Sequence, residues 1–187
     1  MQSPPRDDVV LERTDGSTLL AGSLWADRSC LLLFLRHFAC PSCSVRLERT
    51  LPRAAELARL GVRVVLVGCG SRAALARFAE RQELAASRVE LVVSSDGALH
   101  RAFGMVRSGW GTFGPHAALG AAWLYVTGHY AKRHEDDGDV LQQGGVVLVA
   151  RGGAILHRHA EQSLVDVVDP SEAVAEVLRR VAAEAGV

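Results

Sequence analysis

The 187-residue chain has no net charge, since 21 lysines and arginines balance 21 aspartates and glutamates. A protein held to nucleic acid by electrostatics carries a basic excess, so that class of function is not expected here. Long hydrophobic runs are also missing. The longest uncharged apolar stretches, 30–35 and 117–126, are too short to span a bilayer. The opening Met1-Gln2-Ser3-Pro4-Pro5-Arg6-Asp7-Asp8 has no apolar run of the kind a secretory signal needs. A soluble, cytoplasmic protein with neither a membrane nor a nucleic acid as partner is therefore expected. Cysteine is scarce. Four thiols (Cys30, Cys40, Cys43, Cys69) do not form a disulfide scaffold in a chain of this size, and in a reducing compartment their interest is reactivity or metal binding. There is no second Cys-x-x-Cys and no His-x-x-x-His, which leaves a zinc centre built on Cys40 and Cys43 two ligands short. His157 and His159 share only a strand face. There are no internal repeats and no low-complexity segments. What the chain does have is apolar material, 49% of its residues, enough for the core of a single domain.

That material is organised with strand and helix periods. Val9-Val10-Leu11 and Thr18-Leu19-Leu20 flank the turn signal Asp15-Gly16. The continuous run 30–35 has the length of a strand buried on both faces. At Cys40-Pro41 the pattern changes to helix, with proline suited to the first helical position; Pro52 predicts a kink or break, and Gly61 a stop. A strand at 62–67, a helix at 72–83 capped by Ser71, a strand at 89–93 and a short helix at 96–103 capped by Asp96 follow. Strands at 146–149 and 154–156 flank a tight turn at Arg151-Gly152-Gly153, and a helix at 170–185 closes the chain. Short crossovers make the first strands parallel, and the hairpin adds antiparallel ones. The expected fold is α/β: one thioredoxin-like domain over 1–187, a mixed central sheet with helices on both faces. Residues 104–144 break the rhythm and read as an insertion, helical around 117–126. An uncharged stretch of that kind needs a cover, the body of the domain first among the choices.

The chemistry is expected at Cys40-Pro41-Ser42-Cys43. A Cys-x-x-Cys that leaves a buried strand and opens a helix meets unpaired N–H groups and the positive end of the helix dipole, which stabilise a thiolate. The spacing lets the second sulfur attack an oxidised form of the first. Arg36 carries a permanent charge that could stabilise a thiolate or polarise a peroxide; the alternative is an edge-facing charge at a strand end. His37 is a candidate base toward Cys40 or else a surface histidine. Cys30, at the far end of its strand, reads as a core thiol. Cys69 follows the next strand at the same sheet edge and reads either as a third redox thiol or as a small buried residue.

The run Phe34-Leu35-Arg36-His37-Phe38-Ala39-Cys40-Pro41-Ser42-Cys43 resembles the signature of the peroxiredoxin-like 2 family, within the thioredoxin-fold superfamily of alkyl hydroperoxide reductases and thiol-specific antioxidants. The resemblance extends through Pro115-His116, Trp123 with Val126-Thr127-Gly128, Gln142-Gln143-Gly144-Gly145 and its following strand, and His157-Arg158. It implies a thioredoxin fold, redox-active cysteines and an antioxidant or disulfide-exchange role, and some relatives reduce lipid endoperoxides. The sequence departs from authentic peroxiredoxins at the threonine and proline before the reactive cysteine. Those positions hold His37 and Leu33 if Cys40 is that residue, or Cys40 and Arg36 if Cys43 is. Gly144 stands where peroxiredoxins carry an arginine and thioredoxins a proline.

The reading is a thiol oxidoreductase with Cys40 as nucleophile and Cys43 as resolving thiol. It acts on a peroxide or disulfide, is recharged by an external thiol reductant, needs no cofactor or metal, and is a possible homodimer. The alternatives are a reductase of an organic peroxide or specialised metabolite in a pocket built by 104–144, and a non-enzymatic redox-sensing or interaction module.

Overall fold

The computed structural model describes residues 7–126, 128, 132–164, 166, 175 and 179. Strand β1 (Val10–Arg13) pairs antiparallel with β2 (Thr18–Leu20) around the Asp15-Gly16 turn, where Gly16 takes a φ of 86°. A 3-10 turn, Ala21–Leu24, leads to β3 (Cys30–Phe34), all five residues of which are buried. Helix α1 (Pro41–Arg59), β4 (Arg63–Gly68), α2 (Arg72–Arg81) and β5 (Val89–Val93) follow. Then come α3 (Ala98–Ala102), α4 (Gly109–Phe113), α5 (Pro115–Val126) and a hairpin of β6 (Gly145–Val149) and β7 (Ile155–Ala160). The seven strands form one sheet in the order β2-β1-β5-β4-β3-β6-β7. β3, β4 and β5 are parallel, and β6 returns antiparallel beside β3.

Side-chain alternation divides the core in two. Leu31, Leu33, Val64 and Leu66 face α1 and α2, while Leu32, Phe34, Val65 and Val67 face α3 and the turn that carries Leu24 and Trp25. Helices thus cover both faces of a mixed sheet, as the order of elements predicts.

The differences from expectation are local. α1 runs through Pro52 as one helix. Pro52 and Glu48, four residues back, are both exposed, so the hydrogen bond that proline forgoes is lost on the solvent side. α3 begins after Gly97, which takes a φ of 68°, and Asp96 caps from one residue further out, accepting the Ala98 N–H at 2.9 Å. Ser71 caps α2 as predicted, accepting from the Ala74 amide at 3.0 Å. β7 continues to Ala160, beyond the short strand expected. The segment 104–144 contains α4, α5 and a 3-10 turn, Glu135–Asp137. The helix expected at 170–185 lies outside the described residues apart from 175 and 179. The expectation that the body of the domain covers 117–126 fails for most of it. Ala117 and Leu124 are buried beside α1, but Leu119, Trp123, Tyr125 and Val126 are exposed, because a helix that is apolar all round can turn only one face inward.

His100 of α3 is fully buried, and its Nε2–H donates to the Leu35 carbonyl oxygen at 2.9 Å. Burial pushes it from the ordinary 6.5 down to about 4, with the bond to Leu35 opposing the shift. A base whose folded-state pKa is depressed contributes stability that is complete above its unfolded value and is lost as the pH falls through the folded one. Between pH 6.5 and 4 the fold is therefore expected to lose about 3 kcal/mol from this residue. Chemical denaturation across that window checks it: His100→Gln, which keeps a donor but cannot titrate, is expected to give the flatter profile.

Candidate active site

The parallel strands β3 and β4 end on the same edge of the sheet, and the loops that leave them build the site. After Phe34 the chain runs 35–39 to Cys40, which occupies the N-cap of α1 in extended backbone (φ −75°, ψ 119°), with Pro41 in the first turn. Inside the first turn the Cys43 amide donates to the Cys40 carbonyl at 3.2 Å. The Cys40 sulfur lies 3.0 Å from the Ser42 hydroxyl. The Cys43 sulfur accepts the Arg36 backbone N–H at 3.4 Å and Nη2 of Arg46 at 3.8 Å. Cys69, just past β4, donates its S–H to the Arg36 carbonyl at 3.0 Å. The three thiols at this edge thus bracket Arg36, through its backbone or its charge. All four cysteines are buried and unbridged.

Two guanidinium groups set the electrostatics, and they are held differently. Arg36 is 0% exposed. Its Nη2 donates to the Thr112 hydroxyl at 2.7 Å, while Nε and Nη1 have no hydrogen-bond partner, and no carboxylate among the described residues is ion-paired with it. Arg46, one turn past Cys43 on the same face of α1, donates to the Gly145 carbonyl at 3.0 Å and pairs with Glu161 at 3.0 Å. Burial opposes an anion at Cys40. The hydrogen bond from the Cys43 thiol, the positive influence of His37 and Arg36, and the Ser42 hydroxyl outweigh it and hold Cys40 well below the usual thiol range. Burial, the bond given to Cys40 and the negative charge there push Cys43 up, with Arg46 opposing. His37 is half-buried and is itself pushed down, by burial first. Its Nδ1 is buried without a partner.

The structure therefore brings Cys40, Cys43, Arg36 and His37 together. The alternative of an edge-facing Arg36 is overturned, because α4 lies over the strand end and buries it. Cys30 stays apart at the opposite end of β3, paired across to Arg63 and Val149, and burial drives its pKa up. Cys69 is pushed up to about 11 by burial. Sequence reasoning missed Arg46, Glu161 and Thr112. Arg46 had a usable signal, since three residues past Cys43 on a helix is the same face. Glu161 and Thr112 had none, because they arrive from distant segments. The segment 104–144 does reach the site. Gln143 is buried and its amide donates to Thr112 at 3.1 Å, tying Arg36, α4 and the strand entering the sheet into one polar web. The returning leg clamps the loop from outside, with the Asp137 carbonyl accepting the Phe38 amide at 2.9 Å. Among the described residues no group of three or more histidines, cysteines and carboxylates is arranged to hold a metal.

A family model described as AhpC/TSA antioxidant enzyme matches residues 49–163. The chain belongs to that family. The matched stretch begins after Cys43. The chain is 32% identical over 178 residues to a prostamide/prostaglandin F synthase of Pongo abelii, covering 91% of this chain and 85% of that protein. It is 27% identical over 153 residues to a chloroplastic thioredoxin-like protein of Arabidopsis thaliana, covering 78% of this chain and 60% of that one, so the match spans less than two thirds of the plant protein. Among solved structures, a peroxiredoxin Q of Xanthomonas campestris superposes with a TM-score of 0.66 at 17% identity, covering 98% of this chain and 96% of that one. The protein is a thiol-dependent redox enzyme of the antioxidant class with a thioredoxin-like fold.

Replacing Arg36 by methionine keeps the bulk and removes the charge. It is expected to raise the Cys40 pKa by about 1–3 units, the range an adjacent opposite charge commands, as read from the ultraviolet absorbance of the thiolate against pH. Cys30 is expected to remain reduced when the motif is fully oxidised, which peptide mapping of the oxidised protein checks.

Proposed function

We propose that the enzyme reduces peroxides, with Cys40 as the attacking thiolate and Cys43 as the resolving thiol. The observation that carries this reading is the inequality of the two sulfurs: one is held as an anion beside a buried guanidinium that has no ion-paired carboxylate among the described residues, the other is held protonated. The Cys40 thiolate attacks the terminal peroxide oxygen and the O–O bond breaks. The alkoxide or hydroxide leaves and takes up a proton, giving an alcohol or water and a sulfenic acid on Cys40. Arg36 can offer the N–H groups of Nε and Nη1 to the oxygens, and they are already desolvated, so the contact needs little reorganisation. The half-buried His37 is placed to exchange the proton. Cys43 then attacks the sulfenic sulfur, an S–S bond forms and water leaves. An external dithiol returns the disulfide to two thiols by exchange.

Brief treatment with one equivalent of hydrogen peroxide, followed by mass spectrometry, tests the roles. The expected products are a Cys40–Cys43 disulfide in the unmodified chain, a trapped sulfenic acid on Cys40 in Cys43→Ser, and no oxidation at the motif in Cys40→Ser. A sulfenic acid that accumulates on Cys43 in Cys40→Ser would reverse the assignment.

A second reading concerns the substrate's tail. Trp110 is 78% and Phe113 71% exposed, on either side of the Thr112 that holds Arg36. Large exposed apolar side chains at the mouth of a site favour a substrate with an apolar body, and a relative is named for prostaglandin chemistry. Trp110→Ala is expected to raise KM for a long-chain organic hydroperoxide and leave hydrogen peroxide turnover within about twofold, as for a surface change away from the reacting atoms.

A further inference from the structure

Arg46 and Glu161 form an ion pair in the interior, 1% and 2% exposed. One end of the pair is in contact with the resolving thiol: Nη2 of Arg46 lies 3.8 Å from the Cys43 sulfur, and Nη1 lies 3.0 Å from the Glu161 carboxylate. We propose that Glu161, acting through Arg46, keeps the Cys43 thiol protonated in the resting enzyme and so decides which of the two cysteines is the anion. This rests on the pairing of Cys40 and Cys43 proposed above.

The argument is one of charge cancellation at short range. A buried guanidinium beside a thiol draws the proton off it, which is what Arg36 does for Cys40. Arg46 Nη2 lies 3.8 Å from the Cys43 sulfur, yet Cys43 is the thiol that stays protonated. Arg46 is ion-paired with a carboxylate at 3.0 Å, and Arg36, among the described residues, is not. Glu161 sits on the far side of Arg46 and offsets its charge, so Cys43 sees a nearly neutral pair and the negative Cys40. The architecture is built to keep Glu161 there. A Cβ on Gly144 would lie 2.7 Å from the Glu161 carboxylate and 3.0 Å from Arg46 Nη2, as well as 2.5 Å from the Phe34 carbonyl, so only glycine leaves room for the pair. The Glu161 amide donates to the Gly144 carbonyl at 3.0 Å, which fixes the residue beyond β7.

The groups that face Glu161 are Arg46 and Cys40 from α1, Arg36 from the loop after β3, and Asp166, which His159 of β7 approaches at 3.3 Å. Burial is the largest influence and lifts the Glu161 carboxyl to about 7, with Arg46 opposing. The carboxyl therefore titrates near neutral pH. As it ionises, the restraint on Cys43 tightens. Below that point Arg46 is released to favour the Cys43 thiolate. The gain in thiolate that a rising pH would give is partly cancelled as Glu161 loses its proton.

The test reads the Cys43 pKa directly, by thiolate absorbance in a Cys40→Ser background, which needs neither peroxide nor turnover. Glu161→Gln is expected to lower that pKa by about 1–3 units, and Glu161→Asp, which keeps the charge, is expected to restore most of it. An unchanged Cys43 pKa in a folded Glu161→Gln protein overturns the proposal, as does an equal fall in Glu161→Asp, which would mark a packing role. Glu161→Gln leaves Arg46 buried without a counter-ion, and a fold lost for that reason would remove this arm. The unmutated chain then decides. Its rate of Cys40–Cys43 closure after oxidation is expected to rise clearly less than tenfold per pH unit around pH 7, where Glu161 titrates. A full tenfold rise per unit through that region overturns the proposal without any variant. Failure to form the disulfide at all would count against the peroxide reading and leave the thiol titration to judge this one.

Discussion

A negative sulfur inside a protein is unfavourable unless something positive faces it, and the rest of this site follows from meeting that requirement at Cys40. The helix N-terminus supplies part of the positive potential. The Cys43 thiol's hydrogen bond, His37, Arg36 and the Ser42 hydroxyl add to it, and a guanidinium is itself costly to bury. It is tolerable here because the thiolate serves as its counter-ion and Thr112 takes one of its donors. Each charge makes the other's burial possible. Everything that lies over them, α4 above and the loop of Asp137 alongside, keeps water out and keeps the exchange strong.

This explains why the segment between α3 and β6 is more than an inserted decoration. A thioredoxin-like sheet alone would leave the end of β3 open, with Arg36 hydrated and its charge screened. The segment closes that end with a short helix whose hydroxyl is itself held by Gln143. The solvent side of the same helices is left apolar. One structure thus dries the thiol and presents an oily face to whatever approaches it.

The order of the strands within the sheet was not legible in the sequence; the succession of strands and helices along the chain, the hairpins and the start of α1 at Cys40 were, because each depends on neighbours a few residues away. The buried run of β3, the proline at the first helical position and the Ser71 cap are of this kind. So was the motif, since its spacing alone places both sulfurs on one helix turn. Arg36 and His37 could be picked out from where they stand, but their burial could not, because α4 comes from far along the chain. Arg46 lay within reach of the helical period and went unread because arginine on a helix is usually a surface residue. Glu161 was out of reach: nothing near it in sequence distinguishes a carboxylate at a strand end from any other. Pro52 misled for the opposite reason. The local rule is sound, but it takes no account of which side of the helix faces water.

The pairing of β3 with β6 joins residues 30–34 to 145–149. Contacts of such long sequence separation form late in folding and slow it. During synthesis the N-terminal part emerges first, carrying Cys40, Cys43 and their helix before Thr112 and long before Gly144 and Glu161 exist to be folded against. A growing chain therefore passes through a period in which its thiols have the spacing for a disulfide but not the charges that rank them. The order in which the ribosome delivers the strands makes this redox centre vulnerable to indiscriminate oxidation until its last sheet partner is in place.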